Sequence, residues 1–250
     1  LATMGIPLVK HGNRASTSKS GSADVIEALG VNLDVEVDQL RSIFNEVGIA
    51  FLFANKMHPS MRFAAPVRRA LGFPTAFNVL GPLTNPAKVQ ACAIGAAKEE
   101  NARLMAGGYA SRGLSALVFR GATTGLDELT TTDTNQVWIV NGGHVSEVAF
   151  DARDALGMAS AAIEDLAGGE ATENAAVARE VLSGGGADAV RDAVALNVGA
   201  GILAWEGLDN PVGPADFEER MRVAVDRGLA ALADGVGARL VERWVAASNA

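Results

Sequence analysis

One cysteine, Cys92, stands among 250 residues. A lone cysteine excludes an internal disulfide and any metal site built on clustered thiolates, and it agrees with a reducing, cytoplasmic setting. Long apolar runs are missing too: none reaches the length that spans a bilayer, and no signal peptide is visible. Positive charge is in deficit, with 21 Lys and Arg against 29 Asp and Glu and a formal net charge of −8. That balance argues against general affinity for nucleic acid or for anionic membrane surfaces. The run Lys10–Ser22 matches neither the P-loop nor the dinucleotide glycine pattern, so nucleotide binding of those kinds is not implied by it. No internal repeat or low-complexity segment is present.

What is there is a globular composition, 49% hydrophobic with 28 glycines, long enough for one large domain or two modest ones. The chain opens at Leu1 rather than Met and enters an extended run at once, so a start cut from a longer protein is expected.

Within this acidic chain, cations gather at Lys10, Arg14 and Lys19, and again at Arg62, Arg68 and Arg69. Local positive charge on a negative background points to a small anionic ligand. The first cluster lies in Lys10-His11-Gly12-Asn13-Arg14-Ala15-Ser16-Thr17-Ser18-Lys19-Ser20-Gly21-Ser22. It follows a short β-like run, Ile6–Val9, and precedes a helix over 23–29 closed by Gly30. A loop between a strand's carboxyl end and a helix N-terminus is where α/β proteins bind anions. Its hydroxyls, glycines and cations are what a phosphate needs. A solvated Ser-rich loop has the same composition, and that alternative stays open here.

Downstream, apolar residues at 37, 40, 43, 44 and 47 have the period of an amphipathic helix that Gly48 ends. Ile49–Ala54 reads equally as strand or buried helix. A helix follows from about Pro59 to Leu71, with Pro66 kinking or splitting it. Arg68 and Arg69 point about 100° apart on such a helix, so they cannot both face one pocket. Thr75–Gly81 leads into the turn-rich Pro82–Pro86. Val89–Gly95 as a buried strand, 99–111 as a helix and 114–119 as a strand make a βαβ unit, which favours a parallel sheet. The loop beyond carries Asp127 and Glu128. Paired carboxylates there suit Mg²⁺, which takes one or two carboxylates together with ligand phosphates, though an exposed acidic turn looks the same. Residues 136–140 and 145–150, joined by Asn141-Gly142-Gly143, read as a β-hairpin with His144 in a structural place beside it. Beyond Met158 the chain is mostly helical and Ala-rich, with a buried helix over 187–205 and one or two helices over 217–245; that half reads as core and interface.

Taken together, the motifs resemble one family, the anthranilate phosphoribosyltransferases of tryptophan biosynthesis. The resemblance rests on Lys10–Ser22, on His58-Pro59, on Pro66-Val67-Arg68-Arg69-Ala70-Leu71-Gly72, on Phe77–Pro86 (FNVLGPLTNP) and on Gly125-Leu126-Asp127-Glu128-Leu129, in the family's order and through nearly the whole chain. It implies an α/β fold with a central, largely parallel sheet flanked by helices, plus part of a small helical domain, of the nucleoside phosphorylase and phosphoribosyltransferase kind. Residues 1–36 and 72–250 would form the α/β domain and 37–71 the helical part, in a homodimer. The implied reaction moves phosphoribosyl from 5-phospho-α-D-ribose 1-diphosphate to the amino group of anthranilate, with Mg²⁺. By the same resemblance Lys10, His11, Gly12, Asn13, Arg14, Ala15, Ser16, Thr17, Ser18 and Ser22 line the phosphoribosyl diphosphate site. Asn13, His11, Arg68, His58 and Gly81 meet anthranilate, and Asp127 and Glu128 hold Mg²⁺. No nucleophile or base is assigned.

The sequence departs from the family in three places. Its glycine-rich diphosphate loop and the Asn-x-Ser-Thr segment after it, which lie upstream of Lys10 in the family, do not occur here. Arg120–Gly125 replaces a His-Gly-Asp-Gly-like lead and is one residue longer, and Met61 stands where an aromatic is often found. An inactive fragment, a pyrimidine nucleoside phosphorylase and a non-catalytic nucleic-acid-binding paralogue are the competing readings.

Overall fold

The structure, a computed structural model, describes residues 1–15, 19–60, 63, 67, 70, 71, 75 and 77–250, without the side chains of residues 77 and 78. In chain order its elements are β1 (Leu8–Gly12), α1 (Ser22–Ala28), α2 (Val37–Val47), β2 (Ile49–Phe53), α3 (Ala54–Met57), α4 (Phe77–Leu83), β3 (Ala91–Gly95) and α5 (Glu99–Ala110). There follow β4 (Ser115–Gly121), β5 (Asn135–Asn141), β6 (His144–Phe150), α6 (Ala152–Leu156), α7 (Ala171–Leu182), α8 (Asp188–Glu206), α9 (Phe217–Ala233) and α10 (Val236–Ser248). The chain divides into two compact units.

The first unit comprises Ala2–Lys88, Gly168–Ser183 and Gly235–Ala250. Helix α2 buries Leu40, Ile43 and Val47, the stripe its periodicity predicts. Gly48 ends it in the left-handed conformation, φ 74°, donating its N–H to Phe44 O. The chain turns directly into β2, which settles the 49–54 ambiguity: residues 49–53 are a strand running parallel to β1, from Leu8 opposite Ile49 to Gly12 opposite Phe53. Ala50, Phe51 and Leu52 are buried in succession, the apolar signature of a strand covered on both faces. Their core also holds Val31, Leu33, Val35 and Trp244. Two expectations shift. The first strand is Leu8–Gly12 rather than Ile6–Val9, because the ladder to β2 continues through Gly12, so Lys10, His11 and Gly12 stand on the strand itself. Helical structure runs to Leu83 through Pro82, and the turn begins at Thr84, whose hydroxyl donates to Leu80 O at 2.9 Å and whose N–H donates to Gly81 O. Most of the helix expected over 59–71, with Met61, Arg62, Pro66, Arg68 and Arg69, lies outside the described residues.

The second unit comprises Leu1, Val89–Ala167 and Gly184–Asp234. Its four strands pair in the order β3-β4-β5-β6. β3 and β4 are parallel across the α5 crossover, as the βαβ spacing predicts, and the 135–150 hairpin adds two antiparallel ladders. Gly142 and Gly143, at φ 53° and 92°, make the two-residue turn that matches strand twist. β4 is the centre: Ala116, Leu117, Val118 and Phe119 are all at most 2% exposed. β3 was expected to be buried; standing at the end of the pairing order, it is half-buried throughout. Burial pushes the Cys92 thiol on β3 up to about 11, leaving it protonated and unreactive at neutral pH. Helices α8 and α9 pack closely where Gly199 meets Met221 and Val225 and Gly228 meets Val198. Among the described residues no helix is long and apolar enough to cross a membrane.

Candidate active site

In the first unit the site begins at Gly12. A Cβ there would stand 2.6 Å from Ser22 Oγ and 2.8 Å from the Phe51 ring, so only glycine lets the end of β1 lie against the start of α1. The segment that follows is tied at its neck. Asp24 Oδ2 accepts N–H bonds from Ala15 and from Gly21, both at 2.8 Å. These two backbone donors hold the Asp24 carboxyl below its ordinary range. Asn13 Oδ1 accepts the Arg14 N–H at 2.9 Å, and its amide donates to Asn55 Oδ1 at 3.2 Å. Arg14 lies over the Phe53 ring, 4.7 Å from its centroid, and grips Glu27 with two N–H bonds of 3.0 and 2.6 Å. Its guanidinium is therefore engaged by a carboxylate rather than held open for a phosphate. Ser20 Oγ accepts from Asn174 Nδ2 at 2.7 Å, tying the far side of the loop to α7. Lys10 is exposed and Ser22 opens α1. Ser16, Thr17 and Ser18 lie outside the described residues.

Three of the five residues expected to meet anthranilate come together. The rings of His11 and His58 stand edge to face, centroids 5.0 Å apart at 72°, and the Gly81 backbone hydrogen-bonds His11. Both Nε2 atoms are buried and find no partner among the described residues. A buried polar atom without a partner is costly unless a ligand or water supplies one. Burial first, and then the neighbouring His58, hold the His11 imidazole below its ordinary range, against the opposing pull of Gly81. Neutral His11 thus stabilises the fold fully above the unfolded histidine value of about 6.5, and that contribution is lost as pH falls below it. An NMR titration of the His11 ring is expected to give a midpoint under that value; a midpoint at or above it would contradict the burial. Asn13 stands beside the pair on the chain, bonded to Asn55, and Arg68 lies outside the described residues.

The second unit presents Asp127 and Glu128, both exposed, after β4. Their loop is built, not slack. Asp133 Oδ2 accepts from Thr123 N at 2.7 Å and Thr124 N at 2.9 Å, and Gly121 N donates to Leu126 O at 2.8 Å. Arg120, in the stretch that departs from the family, donates to Gln136 Oε1 at 2.6 Å and to Ala97 O and Ala122 O, so it braces the loop from within. The Asp127 carbonyl rests on Gly95 so closely that a Cβ there would overlap it. Among the described residues no three His, Cys, Asp or Glu side chains form a metal cage. Two carboxylates on a fixed loop fit Mg²⁺, which keeps waters and takes phosphate oxygens for the rest of its shell. A cavity of about 430 Å³ at the hairpin turn, bordered by Ser115, Asn141, His144 and Gly207, contains none of the expected site residues.

Sequence reading missed Asp24, Asn55, Asn135 and Asn197. Asp24 and Asn55 sit inside or beside recognised motifs, but only the folded backbone shows what they hold. Asn197 had a signal: it is the one side-chain amide in the small, apolar run of α8.

Residues 1–236 match the model of the glycosyl transferase family, a/b domain. The anthranilate phosphoribosyltransferase of Arthrobacter sp. is 51% identical over 98% of this chain and 68% of its own length. The crystal structure of the anthranilate phosphoribosyltransferase from Thermus thermophilus matches with TM-score 0.88 and 39% identity, over 100% of this chain and 70% of that one. The Saccharomyces cerevisiae enzyme in complex with PRPP and Mg shares the fold, with TM-score 0.80 at 24% identity over 99% of this chain and 67% of that one. Identity of this level across nearly all of the chain, on the same α/β fold, means that the chain belongs to the anthranilate phosphoribosyltransferase family.

Proposed function

We propose that this chain transfers the phosphoribosyl group of 5-phospho-α-D-ribose 1-diphosphate to the amino group of anthranilate, releasing diphosphate. The observation that carries the proposal is the pair of buried Nε2 atoms on His11 and His58, beside Gly81, that have no partner among the described residues. An edge-to-face imidazole pair with two nitrogens that no described residue meets suits a flat aromatic ligand bearing hydrogen-bonding groups. With Gly81 engaging the ring's other nitrogen, neutral His11 offers a lone pair at Nε2 that suits an amine N–H. Arg68 is assigned the anthranilate carboxylate, by the bidentate fit of guanidinium to carboxylate. By the family resemblance, His58 is assigned the entry path of anthranilate and Gly81 the inner pocket.

Lys10, the backbone from His11 to Ala15, residues 16–18 and Ser22 are assigned the phosphoribosyl diphosphate. Asp24 fixes the neck of that segment, so the Ala15 and Gly21 backbone is held in place before substrate arrives. Arg14 belongs to the same set and would bind phosphate only after releasing Glu27. Asp127 and Glu128 would hold Mg²⁺, which when bound neutralises charge on the diphosphate. Loss of diphosphate leaves oxocarbenium character at the anomeric carbon, so the protein's task is to hold a leaving polyanion and place a weak amine nucleophile behind it. Electrostatic clamping and proximity carry that without a covalent intermediate. Assignment of 37–71 to a small helical domain, a homodimeric assembly and a cytoplasmic location complete the proposal, supported by the family resemblance.

The test is anthranilate consumption, followed by its fluorescence, with this chain, phosphoribosyl diphosphate and Mg²⁺. Turnover supports the reading as written. Turnover only in a version extended at the N-terminus assigns the remaining contacts to upstream sequence, and none in either version overturns the reading. In whichever version is active, Arg68→Ala is expected to raise the KM for anthranilate about 100-fold, the worth of a charge-assisted bidentate contact. The KM for the phosphoribosyl donor should stay within twofold; equal effects on both substrates would remove the carboxylate assignment.

A further inference from the structure

We propose that Asn197, on α8, is a positioning residue for the carboxylates of Asp127 and Glu128; the proposal rests on the metal role given to that pair above. Leu129 follows Glu128 directly and is fully buried in an irregular stretch that has no strand partner among the described residues. Buried backbone N–H and C=O groups need partners, and here a side chain supplies both. Asn197 Oδ1 accepts the Leu129 N–H at 3.2 Å, and Asn197 Nδ2 donates to Leu129 O at 2.9 Å. The amide is itself held in place by donating to Ala193 O, one turn back on α8, at 2.8 Å.

The next residue is treated the same way. Asn135 Oδ1 accepts the Thr130 N–H at 3.1 Å and its Nδ2 donates to Thr130 O at 2.9 Å. Two side-chain amides thus imitate a neighbouring strand for two consecutive residues. On the other side of the acidic pair, Gly121 N–H holds Leu126 O and the Asp127 backbone lies on Gly95. The carboxylates stand between two anchors, and Asn197 makes the one adjacent to Glu128. Consecutive Cα atoms are a fixed ~3.8 Å apart, so fixing Leu129 limits where Glu128 can reach. Groups that orient metal ligands in this way are worth roughly 10- to 100-fold in metal affinity.

The experiment uses the full chain with Mn²⁺ and inorganic diphosphate, reading bound metal by EPR, so that no turnover is required. Asn197→Ala and Asn197→Asp are expected to weaken Mn²⁺ binding roughly 10-fold or more and to speed amide exchange at Leu129. Anthranilate KM, where turnover is measurable, should stay within twofold. Faster exchange at Leu129 with unchanged Mn²⁺ binding would overturn the proposal, since Asn197 would then only stabilise the loop. If Asn197→Ala does not fold, Asn197→Asp, which keeps the acceptor and the shape, is read alone. In the unaltered chain the Leu129 amide should exchange as slowly as those of β4, and rapid exchange there overturns the anchoring without any variant. Asp127→Asn with Glu128→Gln separates the two levels: if that variant binds Mn²⁺ normally, the metal reading itself fails.

Discussion

Replacing Asp127 by Asn together with Glu128 by Gln is expected to lower turnover at fixed Mg²⁺ by about 10²- to 10³-fold, the range seen when a preorganised electrostatic group is removed. Both side chains are exposed, and the substitutions keep their size, so the fold should be unchanged. The loss should therefore appear as a rightward shift of the Mg²⁺ titration rather than as a change in melting temperature. Partial recovery at high Mg²⁺ is part of the expected result, because diphosphate oxygens and water would still ligate the ion. An unchanged Mg²⁺ titration would remove the metal role from this pair. A parallel fall in melting temperature would instead mean that the carboxylates support the loop.

The second large effect is expected at Gly95, a residue with no chemistry of its own. A Cβ there would occupy the space of the Asp127 carbonyl, and that obstacle is backbone, not the end of a flexible side chain. Gly95→Ala must push the loop off β3 or distort the strand, at a cost of about 3 kcal/mol, the upper part of the range for overpacking. Melting temperature should fall and the Mg²⁺ titration should move, because the displaced residue is Asp127. Gly107→Ala is the control: its Cβ on α5 meets nothing within 4 Å. That substitution should be neutral or stabilise by about 0.5–1 kcal/mol, since alanine is the better helix former. If the two variants behave alike, the tight fit at Gly95 is not what holds the loop.

These two cases show where sequence reading reaches and where it stops. Helix α2 was legible to the residue because its apolar period and its stop at Gly48 are local. The βαβ order of β3, α5 and β4 and the Gly-Gly hairpin were legible for the same reason. The extent of β1 was not, because its last residues are strand only through β2, a partner far along the chain. The half-buried state of β3 likewise depends on its place in the pairing order of the sheet. At the site, the closeness of His11, His58 and Gly81 follows from no spacing rule; the family resemblance named all three, and the fold puts them side by side. Charge was the least legible quantity. Arg14 reads as a phosphate ligand in the sequence, yet Glu27, one turn into α1, already holds it. The Ala-rich half, which reads as mere core, supplies Asn197, whose amide ends up on the loop of the acidic pair.

The facing imidazoles carry a thermodynamic linkage. Neither Nε2 atom has a partner among the described residues, and a buried nitrogen left without one costs stability that a ligand restores by meeting it. A ligand that meets those atoms binds the native chain and not the unfolded one. Native-state stability then rises with ligand concentration, by about 2.7 kcal/mol at a hundredfold excess over Kd. Occupancy and folding of this unit are then linked, so added ligand is expected to raise the melting temperature and slow proteolysis.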